Sequence, residues 1–242
     1  MATKTICIIG ASGVIGSAVA RVLDKQGFSL ALHYCNNVEA CENILSQCNF
    51  PNSHKLFCSS LNDLDDGKRL LQSMRKELGD LYGLALCGGR VPWKNEEHLT
   101  VQDWQNAFFE LAIQPYNMAL YFSQICAPKS RVVALSSISS NYGGSTTSRH
   151  YGAAKAALES SFIGLSRKLT HEEICINMVR AGFILTPQQT KGRSQQEIDD
   201  RIAKIPFGRA GSAEEVANAF EFLFGKQSGF ITGQCITVSG GD

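Results

Sequence analysis

The stretch TICIIGASGVIGSAVA, residues 5–20, decides the fold. Residues 6–9 are apolar without alternation, the pattern of a short strand buried on both faces. Glycines follow at 10, 13 and 16. Val14, Ala18 and Val22 then recur at helical spacing, and Gly27 is placed to stop the helix. A strand that turns through glycines into a helix presents free backbone N–H groups and the positive end of a helix dipole, which suits an anionic phosphate. In this reading Gly10 permits the tight turn, Gly13 lets the backbone approach a pyrophosphate, and Gly16 permits close helix–strand packing. Ser12, Val14 and Ile15 complete the loop expected to face a dinucleotide.

The rest of the chain repeats the alternation. Apolar strand-like runs are expected at 29–34, 55–60, 83–89, 131–137, 175–182 and 234–239, with helical spacing at 38–47, 64–78, 151–172 and 212–225. Thr100 and Asp103 form a capping-box variant that opens a long helix, which Pro115 should kink or break. Ser212 and Glu215 form another. Residues 185–206 are polar, with Pro187, Gly192 and Pro206, and read as a mobile excursion. Seven short strands between helices predict an α/β fold: a doubly wound, parallel seven-stranded sheet with helices on both faces, of the Rossmann type. Without an obvious linker, one domain over 1–242 is expected.

Composition narrows the function. The 242 residues carry a net charge of +1, with no basic block for nucleic acid or a membrane surface. No apolar run reaches the ~18 residues of a membrane span. Nine cysteines stand singly without a C-x-x-C pair, so no metal site is expected. Their odd number, and the lack of a secretory leader in MATKTICIIG, point to a reducing compartment and a cytoplasmic protein. The second strand ends LHYCNN (32–37), without the carboxylate that would bind a ribose 2′-hydroxyl and repel a 2′-phosphate. NADP is therefore expected over NAD, with Tyr34 and Asn36 beside the adenosine ribose. His33 could add positive charge there only if protonated.

The chemistry is carried by SRHYGAAKAALESS, residues 148–161. Tyr151 and Lys155 are four apart and share a helix face. A phenol titrates near ~10, and a neighbouring ammonium is expected to lower that value. A phenol so placed can give a proton to a carbonyl oxygen or take one from an alcohol. Ser137, at the end of the fifth strand, could hydrogen-bond the same oxygen. Ser139, Ser140 and Ser145 read as loop residues, since no His–Asp pair accompanies them. His150 reads as a surface residue at the helix start. Trp93 and His98 fall at the mouth of the cleft, where Trp93 lines the substrate site or packs. Cys87 reads as a buried, inert thiol. Phe220, Phe222 and Phe224 read as core or subunit contact.

In this order, the glycine turn, DW at 103–104, Ser137, YGAAK at 151–155, INMVRAGFILT at 176–186, IPFGRAGSAEEVA at 205–217 and FITGQCITVSGG at 230–241 resemble the short-chain dehydrogenase/reductase family, and within it the 3-oxoacyl-(acyl carrier protein) reductase-like members. The resemblance covers nearly the whole chain. It implies a catalytic triad of Ser137, Tyr151 and Lys155, with Lys155 also holding the nicotinamide ribose. It implies Ile184 and Thr186 beside the nicotinamide, Ser60 and Leu61 bordering the adenine, and Cys87 and Gly88 along the cofactor. It further implies a small-molecule or acyl-thioester substrate, and a homotetramer with helices 101–127 and 151–172 at one interface.

The chain departs from the family pattern at several points. Val14 stands where the middle glycine is usual, with Gly13 next to it. Leu86-Cys87-Gly88-Gly89 replaces the usual N-N-A-G, and Ala181-Gly182 the usual Pro-Gly. Leu111, seven residues after the Trp of DW, replaces an Asn that supports a proton relay through the active-site lysine. The interval from Ser137 to Tyr151 is one residue longer than the family's, which leaves Ser136 or Ile138 as alternative alignments. The positive residues Arg193, Arg201, Lys204 and Arg209 are scattered and form no obvious docking cluster for an acidic carrier protein. Two functions are therefore expected as alternatives: an NADP-dependent carbonyl reductase, or a catalytically weak cofactor-binding scaffold subunit of a related reductase.

Overall fold

A computed structural model describes residues 4–242; residues 1–3, where the stretch read for a leader begins, lie outside the description. The chain runs β1 (Thr5–Ile9), α1 (Val14–Lys25), β2 (Ser29–Tyr34), α2 (Val38–Gln47), β3 (His54–Cys58), α3 (Leu64–Leu78), β4 (Leu81–Leu86) and α4 (Val101–Phe108). A π turn at Phe109–Ile113 leads into α5 (Gln114–Ile125). There follow β5 (Arg131–Ser137), α6 (Ser139–Tyr142), α7 (Arg149–Leu169), β6 (Cys175–Ala181), α8 (Pro187–Thr190), α9 (Gln195–Ile202), α10 (Ala213–Phe224) and β7 (Cys235–Val238). The seven strands form one all-parallel sheet in the order β3-β2-β1-β4-β5-β6-β7.

The period of two in a strand explains why residues 6–9 of β1 are all apolar. Ile6 and Ile8 enter one core with Leu23 of α1, Ile44 of α2 and Phe220 and Phe224 of α10. Cys7 and Ile9 enter the other, with Met74 of α3, Phe122 of α5 and Phe162 of α7. Each face of the sheet therefore has its own helical layer. The sheet order reverses direction between β1 and β4, and in such folds ligands bind in the crevice beyond the strand ends at that point.

Most expected elements are present, with informative shifts. β4 ends at Leu86, and Cys87 and Gly89 beyond it line the crevice; β3 likewise ends at Cys58. The excursion at 185–206 holds two helices, α8 and α9, the latter opened by a capping box in which Ser194 and Glu197 satisfy each other's backbone N–H groups. The break expected near Pro115 is the π turn just before it. The capping boxes at Thr100/Asp103 and Ser212/Glu215 are both formed. Among the described residues no helix is long and apolar enough to cross a membrane, and all nine cysteines are free.

Candidate active site

The crevice at the β1–β4 switch is a cleft of about 450 Å³. One end is the glycine turn. Gly10 adopts φ +80°, open to glycine at little cost, and a Cβ there would meet Gly88 Cα at 2.7 Å. Gly16 is needed for a different reason from the one read in sequence: its Cβ would lie 2.2 Å from the Gly10 carbonyl oxygen, so it lets the turn fold onto its own helix. Gly13 caps α1 without a side-chain cap, and the first turn holds no acid. The helix thus offers free N–H groups and a positive dipole end to the cleft, which Ser12, Gly13, Val14 and Ile15 line.

His33 supports this turn in a way the sequence did not disclose. Its Nδ1 accepts the Gly10 N–H at 3.1 Å, and its Nε2 lies 2.9 Å from the Ser59 carbonyl. The ring is therefore neutral, with its proton on Nε2. Burial lowers its pKa, against a smaller opposing effect of the Ser59 hydrogen bond. The suggestion that His33 could present charge to a 2′-phosphate is corrected on this ground. Tyr34 ends β2, Asn36 lies exposed just past it, and Ser60 and Leu61 follow the neighbouring β3. All four lie outside the lining of the main cleft, at the ends of the adjacent strands. Leu61 is held at φ +53°, an uncommon conformation for a residue with a side chain.

Ser137, Tyr151, Cys87, Ile184 and Thr186 line the cleft. Ser137 and Tyr151 border the cleft together, and the Ser137 hydroxyl accepts the Ser139 N–H at 3.2 Å. Ser136 points elsewhere: it is buried, and its hydroxyl donates to the Glu159 carboxylate at 2.5 Å. Ile138 is buried too. All three line the cleft, and of them Ser137 alone offers it a hydroxyl not taken by Glu159. Lys155 lies below, 4 % exposed, with Nζ donating to the Leu135 carbonyl at 2.7 Å and 5.9 Å from the Tyr151 ring centre.

The electrostatics differ from expectation. Burial pushes the Tyr151 phenol up to about 12; the neighbouring Ser137 hydroxyl opposes that rise, and Tyr142 adds to it. The phenol is half-buried, with its edge on the open cleft. Burial also lowers Lys155 to about 8, opposed by the nearby Cys87 and Glu159. The ammonium is spent on a backbone carbonyl and does not pull the phenol down, so Tyr151 is protonated at neutral pH. Cys87 is buried and its thiol is pushed up to about 12, which makes it inert.

Two groups escaped the sequence reading. Glu159, one turn beyond Lys155 on α7, binds Arg180 Nη2 at 2.5 Å and accepts from Ser136 and Ser140. Burial raises its pKa, but those hydrogen bonds outweigh it and leave the carboxyl below its ordinary value. This network ties the segment carrying Ser137 to α7 and β6. The i,i+4 relation to Lys155 was the signal that could have found it. His150 is not on the surface: it is 0 % exposed, edge-on to Trp104 at 6.2 Å, and neither ring nitrogen has a hydrogen-bond partner. Burial lowers its pKa. Leu111, in the π turn, packs with Ala107, Ala154 and Tyr151, and only a glycine at 89 leaves it room. Apolar atoms thus fill the place where a polar relay residue was expected.

Comparison with known proteins fits this geometry. The family model described as enoyl-(acyl carrier protein) reductase matches residues 10–242. The chain belongs to the short-chain dehydrogenase/reductase family. As a member of it, this short-chain dehydrogenase/reductase is an NAD(P)-dependent oxidoreductase. It is 28 % identical to the 3-oxoacyl-[acyl-carrier-protein] reductase FabG of Aggregatibacter actinomycetemcomitans, over 99 % of each chain. It is 30 % identical to the uncharacterized oxidoreductase YmfI of Bacillus subtilis, over 98 % of each. Its fold matches the angucycline C-6 ketoreductase LanV, solved with bound NADP, at a TM-score of 0.90 and 23 % identity, covering 98 % of this chain and 95 % of that one.

Proposed function

We propose that the protein is an NADP-dependent carbonyl reductase acting on a substrate of the 3-oxoacyl thioester type. The observation that carries this reading is that Ser137 and Tyr151 share the wall of a cleft whose other end is an uncapped helix N-terminus. The glycine turn, the free amides of α1 and the buried Lys155 ammonium fit a dinucleotide, and NADPH would supply the hydride. Gly10, Ser12, Gly13, Val14 and Ile15 would hold its pyrophosphate, Tyr34, Asn36, Ser60 and Leu61 its adenosine end, and Cys87, Gly88, Ile184 and Thr186 the nicotinamide side. NADP is favoured because residues 34–37 present no carboxylate against a 2′-phosphate.

The chain's own residues supply the proton. Tyr151, neutral at physiological pH, donates to the carbonyl oxygen as negative charge develops there. Ser137 donates a hydrogen bond to the same oxygen and orients it. Lys155, buried behind the pair, would hold the nicotinamide ribose. The Glu159–Arg180 network keeps Ser137 in place. The 3-oxoacyl assignment is supported by the relationship to the FabG reductase and by the extent of the matching segments. The same proposal includes a single Rossmann domain over 1–242, a cytoplasmic setting and a homotetramer.

NADPH consumption with acetoacetyl thioesters tests it. Tyr151→Phe is expected to lower kcat by about 10²–10⁴-fold while NADPH affinity is kept. Leu111, which puts apolar atoms beside Tyr151, favours the alternative of a weakly catalytic scaffold subunit. Wild-type protein that binds NADPH yet consumes none with any carbonyl would establish that alternative instead.

A further inference from the structure

The end of the cleft away from the glycine turn has its own chemistry. Only two residues of the whole lining are charged, and both are arginines. Arg201 is compensated by an ion pair with Asp242. Arg193 is half-buried, and among the described residues its guanidinium has neither an ion-pair partner nor a side-chain hydrogen bond. It lies 5.0 Å from the Trp93 ring centre and 6.0 Å from that of Phe183. Trp93 is itself fixed, its Nε1–H donating to the Gln188 carbonyl at 3.2 Å. The acid that feels the Arg193 charge, Glu197, has committed its carboxylate to the backbone and hydroxyl of Ser194.

A guanidinium laid against aromatic rings keeps its edge free, and that edge is a fork of N–H donors matched to a carboxylate or phosphate. A half-buried edge of this kind stays open to solvent, and an anion entering the cleft can take its donors. The cleft holds no carboxylate that could do so from within.

We propose that Arg193 is the anion-binding determinant of the substrate cleft, so that the carbonyl compound reduced here carries a carboxylate or phosphate. This inference rests on the reductase reading and adds the charge class of the substrate. The anion belongs either to the substrate acid itself or to the phosphate-bearing arm of a thioester. Tyr151 and Ser137 hold the carbonyl, Arg193 holds the charge, and Trp93 walls the space between.

Two matched probe pairs separate the sources: levulinate against methyl levulinate, and acetoacetyl-coenzyme A against acetoacetyl-N-acetylcysteamine. With NADPH, wild-type kcat/KM is expected to favour the charged member of at least one pair by about 10-fold or more. Arg193→Gln should abolish that preference by raising KM for the charged member alone, and Arg193→Lys should restore part of it. Equal use of charged and neutral members overturns the proposal. So does a rise in KM for NADPH in Arg193→Gln, which would assign the guanidinium to the cofactor. If none of the four probes is reduced, it is the reductase reading that fails, and binding decides the inference. Levulinate or inorganic phosphate should then perturb tryptophan fluorescence in the wild type and not in Arg193→Gln; identical responses overturn it.

Discussion

Single residues set the protonation states on which the cleft depends. His33 is the clearest case, because the dinucleotide turn hangs on its unprotonated Nδ1. Its folded pKa is depressed, so the native state binds fewer protons than the unfolded chain. The stability His33 contributes is complete above the unfolded value of about 6.5 and is lost as pH falls through the folded value. A protonated imidazole cannot accept the Gly10 N–H. NADPH affinity is therefore expected to weaken as pH falls below about 6.5, and His33→Asn to flatten that dependence; calorimetric titration above and below that value checks it. A wild type and variant that weaken in parallel would leave the turn independent of this ring. That Tyr151 and Lys155 sit one turn apart on a helix was legible in the sequence because their spacing is local. His150 was not, because its burial comes from Trp104, far earlier in the chain on another helix.

At the scale of elements, strands were readable as short apolar runs, since every strand here except the edges is covered on both faces. Their ends were less so: nothing local says that Gly89 belongs to the cleft rather than to β4. The helices in 185–206 were masked by polar composition, because they pack only one thin face. For α9 this is Ile198, its single buried residue. With so little burial, its cap carries much of its stability. Ser194→Ala is expected to cost about 1 kcal/mol locally, which hydrogen exchange should report as roughly 5-fold faster amide exchange confined to α9. The same substitution releases Glu197 toward Arg193, so anion selectivity should weaken with it. Unchanged exchange would show that α9 is held by its neighbours instead. The π turn was foreshadowed by Pro115 but not its purpose, which is to set Leu111 against Gly89 and Tyr151.

The whole molecule leaves apolar side chains on the outer faces of α4, the π turn and α7. Val101 is 73 % exposed, and Ile113 and Ile163 stand out beside it in the same helical layer. This is the face expected to join subunits, and Phe222 of α10 offers a second one while Phe220 and Phe224 stay in the core. Light scattering is expected to give a four-chain mass, and Ile163→Asp a smaller particle; a monomeric wild type would remove the tetramer. The fold could be read at this scale from the alternation of strands and helices. The subunit surface could not, because a helix that packs inward and outward carries one mixed apolar pattern.

The parallel sheet has a further consequence for the life of the chain. No two strands are joined by a hairpin, so each pairing must wait for a helix to fold back, and β1 must meet β4 across the whole run from α1 to α3. Such non-local closure slows refolding and leaves apolar strand edges unguarded meanwhile. Heat damage to this molecule should thus be governed by clumping of half-assembled chains, and its working lifetime by how seldom it opens.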